Sequence, residues 1–144
     1  MIETTTLNGQ DIGQAERATR GVLDALLAET DTPFDHWVVL NVLATARGLS
    51  EEALVDRVAW GLRLDATTVH AAVDQMTSAG LIARAAGPAE IELTPRGDAL
   101  FQRVRDGIGR ISERLYGDLP REDLAIAHRV LAIVTERANA GLAR

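Results

Sequence analysis

Residues 64–97 read LDATTVHAAVDQMTSAGLIARAAGPAEIELTPRG, and this stretch decides the fold. Asp65 has the short acceptor side chain that caps a helix N-terminus. Val69, Val73 and Met76 follow at spacings of four and three, which puts them on one helical face. Gly80 stops that helix. Two short strands are expected at 81–83 and 90–93, flanking the turn signal Gly87-Pro88. Thr94-Pro95 then opens another helix, with Thr94 as cap and Pro95 at the first helical position. The stretch holds no Lys, and its only Arg residues are Arg84 and Arg96.

On both sides the pattern is helical. Between Asp11 and Glu29, the residues Ile12, Ala15, Thr19, Val22 and Leu26 form one stripe, which Thr30-Asp31-Thr32-Pro33 breaks. After Pro33, Trp37, Leu40, Leu43 and Ala44 make an apolar face, while Val38, Val39 and Val42 cover other faces. This helix is therefore central. Gly48 ends it, and Ser50 caps a third helix with Glu51 and Glu52 in its first turn, where the dipole favours acids. Leu54 and Val58 are that helix's core contacts, and Trp60 is expected to fill core. The helix after Thr94 carries Leu100, Val104, Ile108, Ile111 and Leu115. Its Gly107 and Gly109 weaken it by roughly 1 kcal/mol each relative to Ala. Asp118-Leu119-Pro120 is a turn. The last helix has one stripe at Leu124, Ala127, Leu131, Val134, Ala138 and Leu142, and a second at Ile126, Val130 and Ile133. Two apolar sides need two packing partners: its own core and a second subunit.

A length of 144 residues suffices for one domain with a sizeable core, and 47% hydrophobic with 25% charged residues is ordinary globular composition. No apolar run approaches the ~20 residues of a membrane span. MIETTTLNGQD lacks a basic region followed by an apolar one, so no signal peptide is expected, and a cytoplasmic location follows. The absence of Cys excludes disulfides and thiolate metal sites. All 15 basic residues are Arg. Residues 1–49 carry three Arg against seven acids (−4), residues 50–94 three against seven (−4), and residues 95–144 nine against seven (+2).

Enzyme chemistry leaves no trace. His36, His70 and His128 lack metal-ligand spacing, no glycine-rich phosphate loop occurs, and Ser50, Ser78 and Ser112 have no nucleophile-elbow context. No catalytic residue, metal site or cofactor is therefore assigned.

Helix, hairpin and helix over residues 64–97 look like the second half of a winged helix-turn-helix. With helices at both ends, nearly the whole chain resembles the MarR family of bacterial regulators. The helix exit from Val69 to Leu81 carries the resemblance, as does Leu93-Thr94-Pro95-Arg96-Gly97, similar to that family's Leu-Thr-x-x-Gly junction after the wing. So does the tail LYGDLPREDLAIAHRVLAIVTERAN, similar to its closing helix pair. The resemblance implies a mainly α fold with a short β-hairpin wing and dimerisation helices at both termini. Their bounds would be 1–32 for the N-terminal dimerisation helix, 33–97 for the winged lobe and 98–144 for the C-terminal helices. It implies a homodimer, a double-stranded palindromic operator, and a small apolar or aromatic ligand bound between the lobes.

Carried onto this chain, Thr67, Thr68, His70, Ala71 and Gln75 match recognition-helix positions that reach DNA, and Arg84 and Arg96 supply phosphate contacts. Ala71 stands where relatives commonly carry Arg, and the wing tip Ala85-Ala86-Gly87-Pro88-Ala89 is short and uncharged. The span from Leu54 to Val69 exceeds the common pattern by about four residues, one helical turn. Two readings stand for His70: a base contact, or an exposed polar residue. Two stand for Arg84: a phosphate contact, or an ion pair with Asp74 or Glu90. The acids of the central segment are expected on the side away from DNA. The expected ligand cleft is lined by Trp37 and Phe101, with His36, then Arg17 or Tyr116, as polar groups; ordinary core is the other reading for both rings. The regulator reading has one alternative, a chain of this fold that has lost operator binding and serves as a ligand-binding or catalytic pocket protein.

Overall fold

The joint between the central helices and the long C-terminal helix is built around Thr94, and the element order explains why. The computed structural model describes residues 5–85 and 90–143. Among them the order is α1 (Gly9–Ala28), α2 (Phe34–Thr45), α3 (Glu51–Leu62), α4 (Ala66–Ser78), β1 (Ile82–Arg84), β2 (Ile91–Leu93), α5 (Pro95–Tyr116) and α6 (Arg121–Leu142). The chain divides into two compact units, residues 1–108 and 109–144.

Each helix of the first unit starts where a short polar side chain or a proline frees its first amides. Asn8 and Asp11 form a reciprocal capping box on α1. Ser50 caps α3 by accepting from the Ala53 N–H, and Asp65 caps α4 by accepting from the Thr68 N–H. Pro33 precedes α2, a helix apolar on all sides, with Trp37, Val39, Leu40 and Leu43 buried. Around α2 pack Leu54, Val55 and Val58 of α3, Val69, Val73 and Met76 of α4, and Ile82 and Ile91 of the hairpin.

Helix α4 ends in a Schellman motif. Gly80 takes φ +77°, the Leu81 N–H donates to Met76 O at 3.0 Å, and the Gly80 N–H donates to Thr77 O at 3.1 Å. Because Leu81 serves this motif, β1 begins at Ile82, one residue later than the apolar pattern suggests. The strands pair antiparallel with Ile82 opposite Leu93 and Arg84 opposite Ile91. The Ile91 N–H also donates to Leu49 O at 2.9 Å, and Ser50 bridges Glu90, so the loop before α3 adds a third rung. Wing-tip residues 86–89 lie outside the described residues.

Thr94 closes the joint. Its hydroxyl donates to Gly80 O at 2.6 Å and accepts from the Gly97 N–H at 3.1 Å, capping α5 as the Thr-Pro pair predicts. Its own N–H donates to Leu81 O at 3.1 Å. The first turn of α5 lies so close to β1 that a Cβ at Gly97 would overlap the Leu81 carbonyl oxygen. That close approach is the physical content of the Leu-Thr-x-x-Gly junction.

Several faces differ from the sequence pattern. On α5 the buried line is Gly97, Phe101, Val104 and Gly107, whereas Leu100 and Ile108 only flank it and Leu115 is exposed. Phe101 faces inward because its ring stacks on Trp37, with centroids 5.5 Å apart. Gly107 is no mere weak point, since Leu26 of α1 occupies the space a Cβ would fill. On α1 the buried residue is Leu27, off the predicted stripe, while Ala15 and Thr19 of that stripe are exposed. Trp60 is 49% exposed instead of filling core. Residues 60–62 form the end of α3, and the left-handed Arg63 that caps it stacks its guanidinium over the Trp60 ring at 4.1 Å.

Gly97→Ala must push the α5 turn off the Leu81 carbonyl, a backbone group that cannot rotate away. We expect a loss of about 1–3 kcal/mol in urea unfolding. Gly109→Ala, at a helical site with open space around the added Cβ, should instead stabilise by up to about 1 kcal/mol.

Candidate nucleic-acid interface

Helix α4 turns Val69, Ala72, Val73 and Met76 inward, so Thr67, Thr68, His70, Ala71, Asp74 and Gln75 remain exposed. At 100° per residue, Thr67, Ala71, Asp74 and Ser78 form the outermost ridge, with His70 and Gln75 on opposite flanks. The structure brings the predicted α4 residues onto one exposed surface, but their surroundings differ from residue to residue.

Thr68 is committed to the helix start. Its hydroxyl donates to Asp65 Oδ1 at 2.6 Å, and its N–H donates to the same oxygen at 3.0 Å. These two bonds hold the Asp65 carboxyl below the usual carboxylate range. A carboxylate therefore already occupies the anion-seeking N-terminus of α4.

His70 looks onto α3. With Ala66 it lines a shallow groove whose other walls are Glu51, Glu52, Val55 and Asp56. Three acids of the central segment, Glu51, Glu52 and Asp56, thus share a side with His70. Arg84 pairs across this side: its Nη2 lies 3.3 Å from Glu51 Oε2. Its partner is neither Asp74 nor Glu90. The guanidinium side chain is 68% exposed, and such a surface pair is worth about 0–1 kcal/mol, so Arg84 can leave it cheaply. Arg96 is exposed in the first turn of α5, without an ion pair among the described residues.

Of the five residues expected to line one cleft, the four in the first unit are not gathered together. Trp37 and Phe101 stack and are buried, so these rings serve as core. His36 turns to α4, where its Nε2 lies 3.1 Å from Gln75 Oε1. Arg17 is exposed on α1, and Tyr116 is exposed in the second unit. A groove of about 520 Å³ lies instead between the end of α2, β2 and α5. Its floor is Leu43, Ile91, Leu93 and Phe101, and its rim carries Arg47, Glu90, Asp98 and Arg105. The His36–Gln75 and Arg84–Glu51 contacts span 39 and 33 residues, and no local sequence signal announces either. Among the described residues no cluster of His, Asp and Glu could hold a metal ion, and no helix is long and apolar enough to cross a membrane.

Asp65→Asn isolates the cap carboxylate. A folded-state pKa below the unfolded one means that ionised Asp65 stabilises above the usual carboxylate range. The contribution disappears as pH falls through the folded value. The stability advantage of wild type over Asp65→Asn should therefore shrink between pH 6 and pH 3 in chemical unfolding. An advantage independent of pH would contradict the cap geometry.

No family model matches the chain, and no curated protein matches it in sequence. Solved structures do resemble it. The transcriptional regulator PA3341 superimposes with a TM-score of 0.79 at 23% identity, over 92% of this chain and 98% of that one. NadR in complex with 4-hydroxyphenylacetate gives 0.75 at 19%, over 92% and 98%. A Mycobacterium tuberculosis MarR-family protein in complex with DNA gives 0.71 at 21%, over 90% and 98%. The chain therefore has the winged helix-turn-helix fold of the MarR-family structures, with helices before and after the winged lobe.

Proposed function

We propose that this chain is a DNA-binding transcriptional regulator that acts as a homodimer and responds to a small ligand. The observation that carries the proposal is the exposed face of α4, which no element of the first unit covers, on a fold shared with a protein solved on DNA. In a helix-turn-helix, this helix enters the major groove. Thr67 and Ala71 are small enough to allow close approach. Gln75 and His70 can hydrogen-bond base edges, and Asp74 can accept from cytosine N4. Arg84 and Arg96 are the phosphate contacts.

The same inventory sets the energetics. Each phosphate neutralised contributes a slope of about −0.9 in log K against log salt. With so few arginines, and with Arg84 paired to Glu51, binding should show a shallow salt dependence and lean on base contacts. Ligand response rests on the groove between the end of α2, β2 and α5, where Phe101, Leu43 and Ile91 can take an aromatic ring and Arg47 and Arg105 a carboxylate, while Glu90, Glu92 and Asp98 line the same groove and limit how much negative charge it accepts. That NadR was solved with 4-hydroxyphenylacetate, a molecule of this type, adds to the case. Selection from a random DNA pool at low and moderate salt tests the proposal. We expect one enriched palindrome, Arg84→Ala weakening all sequences alike, and release of the selected DNA by a small aromatic carboxylate. Failure to enrich any sequence at low salt would refute it.

The second unit supports the dimer. Helix α6 has no buried residue, and Leu119, Ile126, Leu131, Ile133, Val134 and Leu142 are all exposed. So large an apolar surface on two sides of one helix calls for a partner, and a second copy of the same helix supplies it symmetrically. Leu131→Asp should place a charge there and shift sedimentation from dimer to monomer, or unfold the chain. Retained dimer with an unchanged melting temperature would rule this face out.

A further inference from the structure

His36 and Gln75 belong to different helices, α2 and α4, and meet at one hydrogen bond. The two atoms lie 3.1 Å apart, and because Gln75 Oε1 is a carbonyl oxygen that only accepts, the bond forms in the tautomer that carries the hydrogen on His36 Nε2. We propose that His36 is a positioning residue that fixes the orientation of the Gln75 amide and so decides which base Gln75 reads. This inference rests on the DNA-binding reading above.

An isolated glutamine amide turns freely about its last torsion and offers either an acceptor or a donor to a base edge. That is why glutamine can pair with adenine through both atoms at once. Here the acceptor end is held by His36. The amide is planar, so tying Oε1 to α2 turns the NH₂ group the other way. Gln75 makes no other side-chain hydrogen bond among the described residues, so both NH₂ hydrogens remain available. Gln75 is exposed on the flank of the α4 ridge, within reach of whatever that ridge contacts. Oε1 keeps a second lone pair, so what the bond fixes is the side to which the NH₂ group turns, and that group is presented as the donor. At its base position it should favour acceptors (purine N7, guanine O6 or thymine O4) over the cytosine N4 donor.

His36 itself sits in the first turn of α2, where its N–H donates to Asp35 Oδ1 at 2.9 Å. The backbone beneath the imidazole is therefore fixed, and α2 is the most enclosed helix of the unit. The imidazole thus projects from a helix that is itself set in the core and meets Gln75 of α4.

Selection of bound DNA from a random pool, run on the full chain, tests the assignment. Wild type should discriminate about tenfold between acceptor and donor at one base position. His36→Leu removes the donor, frees the amide to flip, and should reduce that preference to about twofold. His36→Gln places an NH₂ group at similar reach and should restore it. In a Gln75→Ala background, adding His36→Leu should change nothing, because the coupling is gone. A His36→Leu variant with the wild-type preference, or with the same effect in the Gln75→Ala background, would overturn the positioning role while leaving the regulator reading intact. If wild type itself enriches no sequence, the regulator reading falls and this assignment falls with it.

Discussion

One hydroxyl group joins α4 and the hairpin to the helix that follows them. Thr94 Oγ1 donates to the last turn of α4 through Gly80 O and accepts from the first turn of α5 through the Gly97 N–H. An oxygen that can do both is required, which limits the position to Ser or Thr. The joint also needs Gly97, because the Leu81 carbonyl occupies the place of a Cβ. Leu81 serves twice more, closing the Schellman motif through its N–H and accepting the Thr94 N–H through its carbonyl. Four residues thus fix the angle between α4 and α5 through backbone contacts rather than packing alone. Side-chain packing can relax around a changed group; a backbone carbonyl held on both sides cannot. The start of α5 is therefore rigidly referred to α4.

The electrostatics of that face run against simple phosphate attraction. Asp65 fills the N-terminus of α4, Glu51 holds Arg84, and Glu52 and Asp56 stand in the groove beside His70. Three of these four acids stabilise the chain itself: Glu51 and Glu52 are helix-start acids in favourable dipole positions, and Asp65 is a cap. Together they remove much of the non-specific attraction that most DNA-binding proteins use. A surface of this kind gains little from a random duplex. Any useful affinity must come from geometry, through small residues on the α4 ridge and oriented polar groups beside it. That raises the importance of contacts such as His36–Gln75, which cost little and orient much.

Core and surface use aromatic residues in opposite ways. Trp37 and Phe101 stack at the junction of α2 and α5 and fill space that a cleft would need. Trp60, at the end of α3, stays exposed beneath the guanidinium of Arg63, which is also the left-handed cap of that helix. The cation and the ring shield each other at a turn where neither has core to enter. With only 3% aromatic residues in the chain, the remaining core depends on interlocking Leu, Val and Ile from α2, α3, α4 and the hairpin.

The elements and their ends were legible in the sequence, because caps, stops and apolar periods are local. As caps and stops, Ser50, Asp65, Gly80, Thr94 and Pro95 each act within four residues, and each does in the structure what its chemistry demands. The inner face of α4 was legible for the same reason: Val69, Val73 and Met76 have one period and one core to face. Where a helix has apolar residues on more than one side, period alone could not choose. On α5 the choice of Phe101 and Gly107 over Leu100 and Ile108 was made by Trp37 and Leu26, which lie far away in sequence. The partners of Arg84 and His36, and the groove under the wing, were set the same way. Sequence alone determined which segments fold and what each can offer. Tertiary structure decided which side of each segment meets which neighbour, because that depends on distances between residues that the chain places tens of positions apart.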